Sequence, residues 1–321
     1  MAEHYRLAIL DDYQRVAMDH ADWGSLADHG VTVTVFTKHF GSEQEAVATL
    51  ADFHIIIAMR ERTPFPRSVL EQLPNLDLLV TTGPANASID VTAAADLGIT
   101  VCGTEGSPTA APELTWALIL AFARNLPMEH AALREGRWQS TVGFELAGRT
   151  LGILGLGKIG RRIAAYGAAF GMTVVAWSEN LTAEAATAAG ATLVDRDELF
   201  RRSDVVSLHV RLSPRTESIV GAAELQLLGP DGLLVNTSRG ALVDEDALLT
   251  ALEEGWIRGA ALDVYNHEPL PAGHPLLSAP NTVLAPHLGF VTAESYDAFY
   301  GGALEDVRAW LSGSPIRRLR P

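Results

Sequence analysis

Short aliphatic and β-branched runs alternate along this chain with longer stretches rich in Ala, Leu and Glu. In the first third the runs are RLAIL (6–10), VTVTVF (31–36), HIIIA (54–58), LDLLVTT (76–82) and ITVCG (99–103). They read as strands, and the segments near 20–29, 43–52, 66–73 and 90–97 read as the helices between them. A second series starts at TLGILGLG (150–157). It continues through TVVAWS (173–178), ATLV (191–194), DVVSLHV (204–210), GLLVNTS (232–238), GAALDVY (259–265) and TVLAPH (282–287). Runs this apolar, separated by helical stretches, are the pattern of parallel sheets covered by crossover helices. Two series therefore predict the α/β class with two doubly wound parallel-sheet domains. PELTWALILAFARNL (112–126) lies between the series and is apolar on more than one face, which predicts a long buried helix. ESYDAFYGGALEDVRAWLSG (294–313) predicts a last helix with no strand series of its own. It is expected to pack on the first domain, so the boundaries are 1–103 plus 291–321 for one domain and 104–290 for the other.

The length of 321 residues fits two hydrophobic cores. The charge of −15, from 24 basic and 39 acidic residues, disfavours nucleic acid and anionic membranes as partners. An anionic ligand must then find a place where arginines and backbone amides reverse the local sign. No apolar run approaches the length of a membrane span, and MAEHYRLAIL (1–10) runs directly into a strand, so no signal peptide is expected. The lone Cys102 excludes an internal disulfide framework and a cysteine-based zinc site, and reads as a packing residue. A reducing, cytoplasmic setting without a metal is expected.

Gly155-Leu156-Gly157-Lys158-Ile159-Gly160 follows a strand and opens a helix. The first glycine permits a tight turn and the second lets the backbone approach a pyrophosphate. The third allows close helix–strand packing, and the helix N-terminus supplies amides to an anion. In this context the loop predicts dinucleotide binding. The next strand ends in VVAWSEN, with Ser178 where an acid usually meets the ribose hydroxyls and Glu179 beside it. Glu179 disfavours a 2′-phosphate and points to NAD; Ser178 accepts either ribose form, and NADP stays open if Glu179 is only a solvated acid.

Three polar residues follow strand ends in the second series, where open α/β sheets place ligands. Arg239 follows VNTS, Glu268 lies in NHEP after ALDVY, and His287 closes VLAPH. Each alone reads as an ordinary loop residue, and the chain has ten histidines. Together they suit carbonyl reduction by hydride. Histidine gives or takes a proton near physiological pH, a carboxylate orients it, and an arginine fork grips a carboxylate and polarises a carbonyl.

GILGLGKIGRRIA (152–164), HVRLSPRT (209–216), LLVNTSRGALVDEDAL (233–248), GAALDVYNHEPLP (259–271) and APHLGF (285–290) make the chain resemble the D-2-hydroxyacid dehydrogenase family over essentially its whole length. The resemblance implies a Rossmann NAD(P)-binding domain inserted in a flavodoxin-like substrate domain. By it Arg239 binds substrate, Glu268 tunes the histidine and His287 is the acid/base, while Asp263 holds the nicotinamide amide and Thr237 lies near the cofactor. His209, Val210 and Leu212 pass the adenosine side, and Thr216, Ser238 and Gly289, with Arg239 and His287 themselves, complete the cofactor set. TTGPANASIDVTAAADLGITVCGTEG (81–106) is similar to the family's substrate loop, in which amides hold the carboxylate. It departs from the glycine-rich version: Gly83 is followed by Pro84, which has no amide to give, Ala85 stands where Gly is usual, and Asn86 offers a side-chain donor. Arg60 reads either as a contact to a second anionic group or the far end of the substrate, or as a surface residue on a polar turn. Phe290 stands where small residues are common and implies a narrower, more apolar pocket.

The resemblance implies reduction of 2-oxo acids or oxidation of D-2-hydroxy acids, with glyoxylate or hydroxypyruvate the most economical substrates. The formate-oxidising branch lacks the acidic partner of the histidine, so Glu268 sets this chain apart. A phosphite-oxidising relative keeps Arg, Glu and His and remains an alternative. So does a non-catalytic dinucleotide-sensing binding protein, since the corepressor branch also keeps them. The chain is expected to lack the long regulatory tail of some phosphoglycerate dehydrogenases. For the 112–126 helix and the loop at Trp138, the resemblance implies a two-fold homodimer interface; for the helix, the alternative is the packed interior of one domain.

Overall fold

In a computed structural model, which describes residues 4–321, the chain divides into two compact units, Met1–Ser107 with Val291–Pro321, and Pro108–Phe290. Residues 1–3 of the N-terminal stretch read above for a leader lie outside the described residues.

The first unit is built on five parallel strands: β1 (Tyr5–Ile9), β2 (Val31–Val35), β3 (Ile55–Ala58), β4 (Leu78–Thr81) and β5 (Thr100–Gly103), in the order β2-β1-β3-β4-β5. That is the flavodoxin-like arrangement, whose strand order reverses between β1 and β3. The connecting helices are α1 (Glu43–Leu50), α2 (Arg67–Leu70) and α3 (Val91–Asp96). Ser42 and Asp90 cap α1 and α3 by accepting the amides of Glu45 and Ala93. The first segment expected to be helical, 20–29, is a 3-10 helix over Trp23–His29. It ends at Gly30 in the left-handed region (φ 72°) and buries Trp23 and Leu26. β3 and β4 are buried at every position, as expected of strands covered on both faces.

The second unit opens with α4 (Ala110–Ala123) and α5 (Leu126–Arg134). The sequence predicted one helix over 112–126. Asn125 adopts a left-handed conformation (φ 51°), which breaks it, and Pro127 starts the next. α4 packs into the unit's own core through Trp116, Leu118, Ile119 and Phe122, each worth about 1.5–3 kcal/mol of burial. A run of exposed apolar side chains follows α4: Leu126, Met128 and Leu133 on α5, then Trp138 and Val142.

The rest of the unit alternates strand and helix: β6 (Thr150–Leu154), α6 (Lys158–Ala169), β7 (Thr173–Trp177), α7 (Ala183–Ala188), β8 (Thr192–Leu193), α8 (Arg196–Arg202), β9 (Val205–Leu208), α9 (Ala222–Leu228), β10 (Leu233–Asn236), α10 (Glu245–Glu253), β11 (Gly259–Leu262) and β12 (Thr282–Leu284). All seven strands are parallel, in the order β12-β11-β10-β9-β6-β7-β8, and the order reverses between β6 and β9. This is the doubly wound Rossmann arrangement. The chain closes with α11 (Ala293–Leu311) in the first unit, where it lies against β4 and β5. β6, β9, β10, β11 and β12 stop two or three residues short of the apolar runs that predicted them, because the last residues turn out of the sheet to form loops. Those loops carry the polar residues singled out from the sequence.

Candidate active site

In the second unit, the loop between β6 and α6 follows the phosphate-binding pattern. Gly155 has φ 105°, and a Cβ there would come within 2.6 Å of the His209 backbone, so β9 excludes any side chain. Gly157 is the N-cap of the twelve-residue α6 and has no side-chain cap; a Cβ there would meet nothing within 4 Å. Open space over uncapped amides, flanked by Lys158 and Ile159, fits the pyrophosphate of a dinucleotide. Gly160 leaves no room for a Cβ against the Gly155 carbonyl, which seals helix to strand. At the end of β7, Ser178 Oγ accepts the Leu156 amide at 3.1 Å, so the serine braces the glycine loop, while Glu179 is exposed.

His209, after β9, shares a 2.8 Å hydrogen bond with the Ser207 hydroxyl through Nε2, and burial pushes its pKa down to about 4. It stays neutral at physiological pH. Val210 O accepts the Ser238 hydroxyl at 2.9 Å, tying the β9 and β10 loops together. Leu212 is exposed, and Thr216 folds the 211–216 turn by accepting the Ser213 amide and donating to Arg211 O. Thr237 shares a 2.7 Å hydrogen bond with Thr115 on α4.

The ends of β10, β11 and β12 carry Arg239, Glu268 and His287. His287 Nδ1 and Glu268 Oε2 are 2.5 Å apart, and Glu268 Oε1 accepts the Tyr265 amide at 2.9 Å. Burial opposes ionisation of Glu268, but the His287 hydrogen bond and charge, the Tyr265 amide and the charge of Arg239 together hold its pKa below the ordinary value. Asn236 braces the arginine loop from both ends of its amide, accepting the Ser238 N–H and donating to Arg239 O. Arg239 Nη1 donates to Ser238 O at 2.6 Å.

Asp263 is fully buried and gathers three consecutive amides. Its carbonyl accepts His287 N–H at 2.9 Å, and its carboxylate accepts Leu288 N–H at 2.6 Å and Gly289 N–H at 2.9 Å. This holds His287 in a left-handed conformation, φ 53°, which a side-chain-bearing residue adopts only under constraint. Burial raises the Asp263 pKa to about 6 despite those amides. The Phe290 ring meets the His287 imidazole edge-on, with centroids 5.5 Å apart.

In the first unit the polar groups after β3 and β4 lock onto each other. Arg60 is left-handed (φ 52°); its amide donates to Thr82 Oγ1 and its Nη1 to Thr82 O. Its guanidinium lies where a Cβ on Gly83 (φ 96°) would sit, so only glycine fits there. The Gly83 amide donates to Thr104 Oγ1 at 2.7 Å. Both hydrogens of the buried Asn86 amide turn inward, to Arg60 O and Thr81 Oγ1, and its oxygen accepts the Ser88 amide. With Pro84 lacking an N–H, the loop's remaining donors are the main-chain amides of Ala85 and Asn86.

Sequence reasoning gave no role to Asn236, Thr82 and Thr104, which lie inside the quoted runs and position the loops. Their signal was faint: a polar residue at or just past the last position of an apolar strand, where burial demands hydrogen-bond partners. No group of three or more His, Cys, Asp or Glu suited to a metal occurs among the described residues. No helix among them is long and apolar enough to cross a membrane.

The family model for the NAD binding domain of the D-isomer specific 2-hydroxyacid dehydrogenases matches residues 116–289. The glyoxylate reductase of Aeropyrum pernix is 41% identical over 255 residues, 76% of this chain and 76% of that protein. The D-3-phosphoglycerate dehydrogenase of Methanocaldococcus jannaschii is 37% identical over 85% of this chain but only 52% of its own length. The chain thus spans about half of that relative. Among solved structures, a phosphoglycerate oxidoreductase from Vibrio cholerae O395 superposes with a TM-score of 0.91 at 41% identity, covering 97% of this chain and 100% of that one.

Proposed function

This chain belongs to the D-isomer-specific 2-hydroxyacid dehydrogenase family, whose matched domain binds NAD, and from that premise we propose that it reduces small 2-oxo acids to D-2-hydroxy acids, or runs the reverse oxidation. The observation that carries this reading is the His287–Glu268 pair at 2.5 Å on the strand-end side of a sheet that also presents the glycine loop and Arg239.

The nicotinamide, when bound, supplies or accepts the hydride. The protein's part is the proton and the anions. Glu268 accepts a hydrogen bond from Nδ1–H of His287, which leaves Nε2 to give a proton to the substrate oxygen in reduction or to take one in oxidation. Because Glu268 stays ionised, it favours the imidazolium form and fixes the ring. The planar fork of Arg239 suits the carboxylate and carbonyl of a 2-oxo acid. Uncapped amides of α6 and the open face of Gly157 receive the pyrophosphate, with Lys158, Ile159 and the 209–216 loop around the adenosine portion. Asp263 places the His287 turn and offers its buried carboxylate region to the nicotinamide amide. The Ala85 and Asn86 amides, with the cation of Arg60 beside them, supply substrate-carboxylate recognition from the first unit.

Glyoxylate or hydroxypyruvate is the substrate class favoured, since Phe290 against the imidazole leaves little width for a large side chain. NAD is the favoured cofactor on the charge of Glu179, with NADP admitted by the uncharged Ser178. The exposed apolar set Leu126, Met128, Leu133, Trp138 and Val142 supports a homodimer formed through α5 and the following loop. The buried, single Cys102, its thiol raised to about 11 by burial, suits a cytoplasmic setting.

The test is oxidation of NADH and of NADPH with glyoxylate, hydroxypyruvate, pyruvate, oxaloacetate and phenylpyruvate. Arg239→Ala is expected to lower kcat/KM by about 10²–10³-fold. Cofactor binding without turnover of any of these acids would turn the reading to phosphite-type substrates and then to a dinucleotide sensor.

A further inference from the structure

The last residues of the first unit cover one edge of its sheet, that of β5. Gly103 N–H donates to Arg317 O at 3.1 Å and Leu319 N–H to Val101 O at 2.8 Å, with Cys102 and Arg318 forming an antiparallel bridge. Five strands run parallel, and this short segment, running the other way, covers the outer edge of β5. Leu319 seats its side chain on the core cluster of the same unit.

The segment is pinned by one side chain. Arg317 is left-handed (φ 47°) and uses all three guanidinium nitrogens: Nε to Asp306 Oδ1 at 3.0 Å, Nη1 to Glu305 Oε2 at 2.9 Å and Nη2 to Gly302 O at 2.7 Å. Asp306 is fully buried, and its second oxygen has no hydrogen-bond partner. A buried carboxyl group with one oxygen unmet is costly, and the Arg317 guanidinium on its other oxygen is the partner that offsets that cost.

Two routes lead from Arg317 to the 83–86 loop. Through its carbonyl, Arg317 holds Gly103, and a Cβ on Gly103 would come 2.7 Å from Gly83 O. Through its guanidinium it sits on Gly302, whose bare face lies against Thr104, with a Cβ there 3.1 Å from Thr104 Cβ. Thr104 Oγ1 is the acceptor for the Gly83 amide. Both routes end on Gly83, one on its carbonyl and one on its N–H.

We propose that Arg317 is a positioning residue for substrate: by clamping the 317–319 segment to β5 and α11 to Thr104, it holds Gly83 and so aims the Ala85 and Asn86 amides at the substrate carboxylate. The proposal rests on the function assigned above to that loop. It predicts an effect on recognition of the 2-oxo acid and none on the dinucleotide, whose groups lie in the other unit.

The full-length protein carrying Arg317→Ala is compared with wild type in two measurements. Hydrogen exchange of the amides over 81–88 is expected to quicken. The KM for glyoxylate or hydroxypyruvate is expected to rise about tenfold, with kcat and the NADH Kd within about twofold of wild type. Arg317→Lys keeps the charge beside Asp306 and Glu305 but loses the three-way fork, and is expected to fall between the two; it carries the comparison if the alanine variant does not fold. Unchanged exchange over 81–88 overturns the proposal, as does a KM rise accompanied by an equal loss of NADH affinity. A wild-type protein that turns over no 2-oxo acid overturns the assigned function instead, and the exchange measurement still decides whether Arg317 orders the loop.

Discussion

The two sheets of this protein share an architecture and use their strand ends in opposite ways. In the second unit one titratable side chain holds another, Glu268 on His287, while Asn236 and Asp263 fix the main chain of the Arg239 and His287 turns. In the first unit, side chains are consumed in bracing the backbone. Asn86, Thr82, Thr104 and Arg60 direct their polar groups at neighbouring loops, and what remains is main-chain N–H. Titratable groups suit proton transfer, because their charge changes at working pH. A rigid run of amides suits an anion whose charge does not change, because fixed dipoles need no reorganisation. Under the proposed function, the same fold serves chemistry at one set of strand ends and recognition at the other.

The largest effect expected from this contrast is at His287. His287→Ala should lower kcat by about 10²–10⁴-fold while leaving the NADH Kd unchanged. Loss of cofactor affinity in place of turnover would erase the distinction between chemistry and recognition.

A second, pH-dependent effect separates Asp263 from Glu268. Burial raises Asp263 above its ordinary 3.8 to about 6, so its contribution to stability is fully present below 3.8 and is lost as pH rises through about 6. Glu268 has the opposite sign. Its folded pKa lies below 4.5, so its pairing stabilises the fold above that value and is lost as pH falls through the folded one. Urea unfolding from about pH 3 to 8 should show Asp263→Asn removing the decline in stability between about 4 and 6, and Glu268→Gln removing the gain of stability with rising pH below about 4.5. The kcat of the wild type should also fall as Asp263 takes a proton near 6 and loses an acceptor for the Leu288 and Gly289 amides. A flat profile through that range would detach Asp263 from the His287 turn.

The smallest effect concerns the braces of the first unit. Asn86→Ala leaves Ser88 N–H, Arg60 O and Thr81 Oγ1 without their partner and should cost about 1–3 kcal/mol of stability. It should raise the KM for the 2-oxo acid more than it lowers kcat. A matching fall in kcat with unchanged KM would move Asn86 from the recognition side of the comparison to the chemical one.

Hydrophobic periodicity determined the class of fold, because a strand covered on both faces must be apolar throughout and a crossover helix must separate parallel neighbours. The runs at 54–58 and 232–238 contain buried strands for that reason. The glycine loop and the polar residues after strand ends were legible for a related reason, since chain order places them at the same edge of a parallel sheet. What the sequence left undecided was set by single backbone conformations and by burial. Asn125 splits one predicted helix into two through a left-handed φ, which periodicity does not register. Asn86 looked like a donor to a ligand and instead donates inward, because its amide is buried beside Arg60 O and Thr81 Oγ1. The three-amide grip of Asp263, the bracing of the Arg239 loop by Asn236 and the clamp of Arg317 join residues 11 to 26 positions apart or fix a loop three residues long. Such bonds carry no period and no motif; they exist because folding buries polar atoms that must then find partners, and only the tertiary structure decides which.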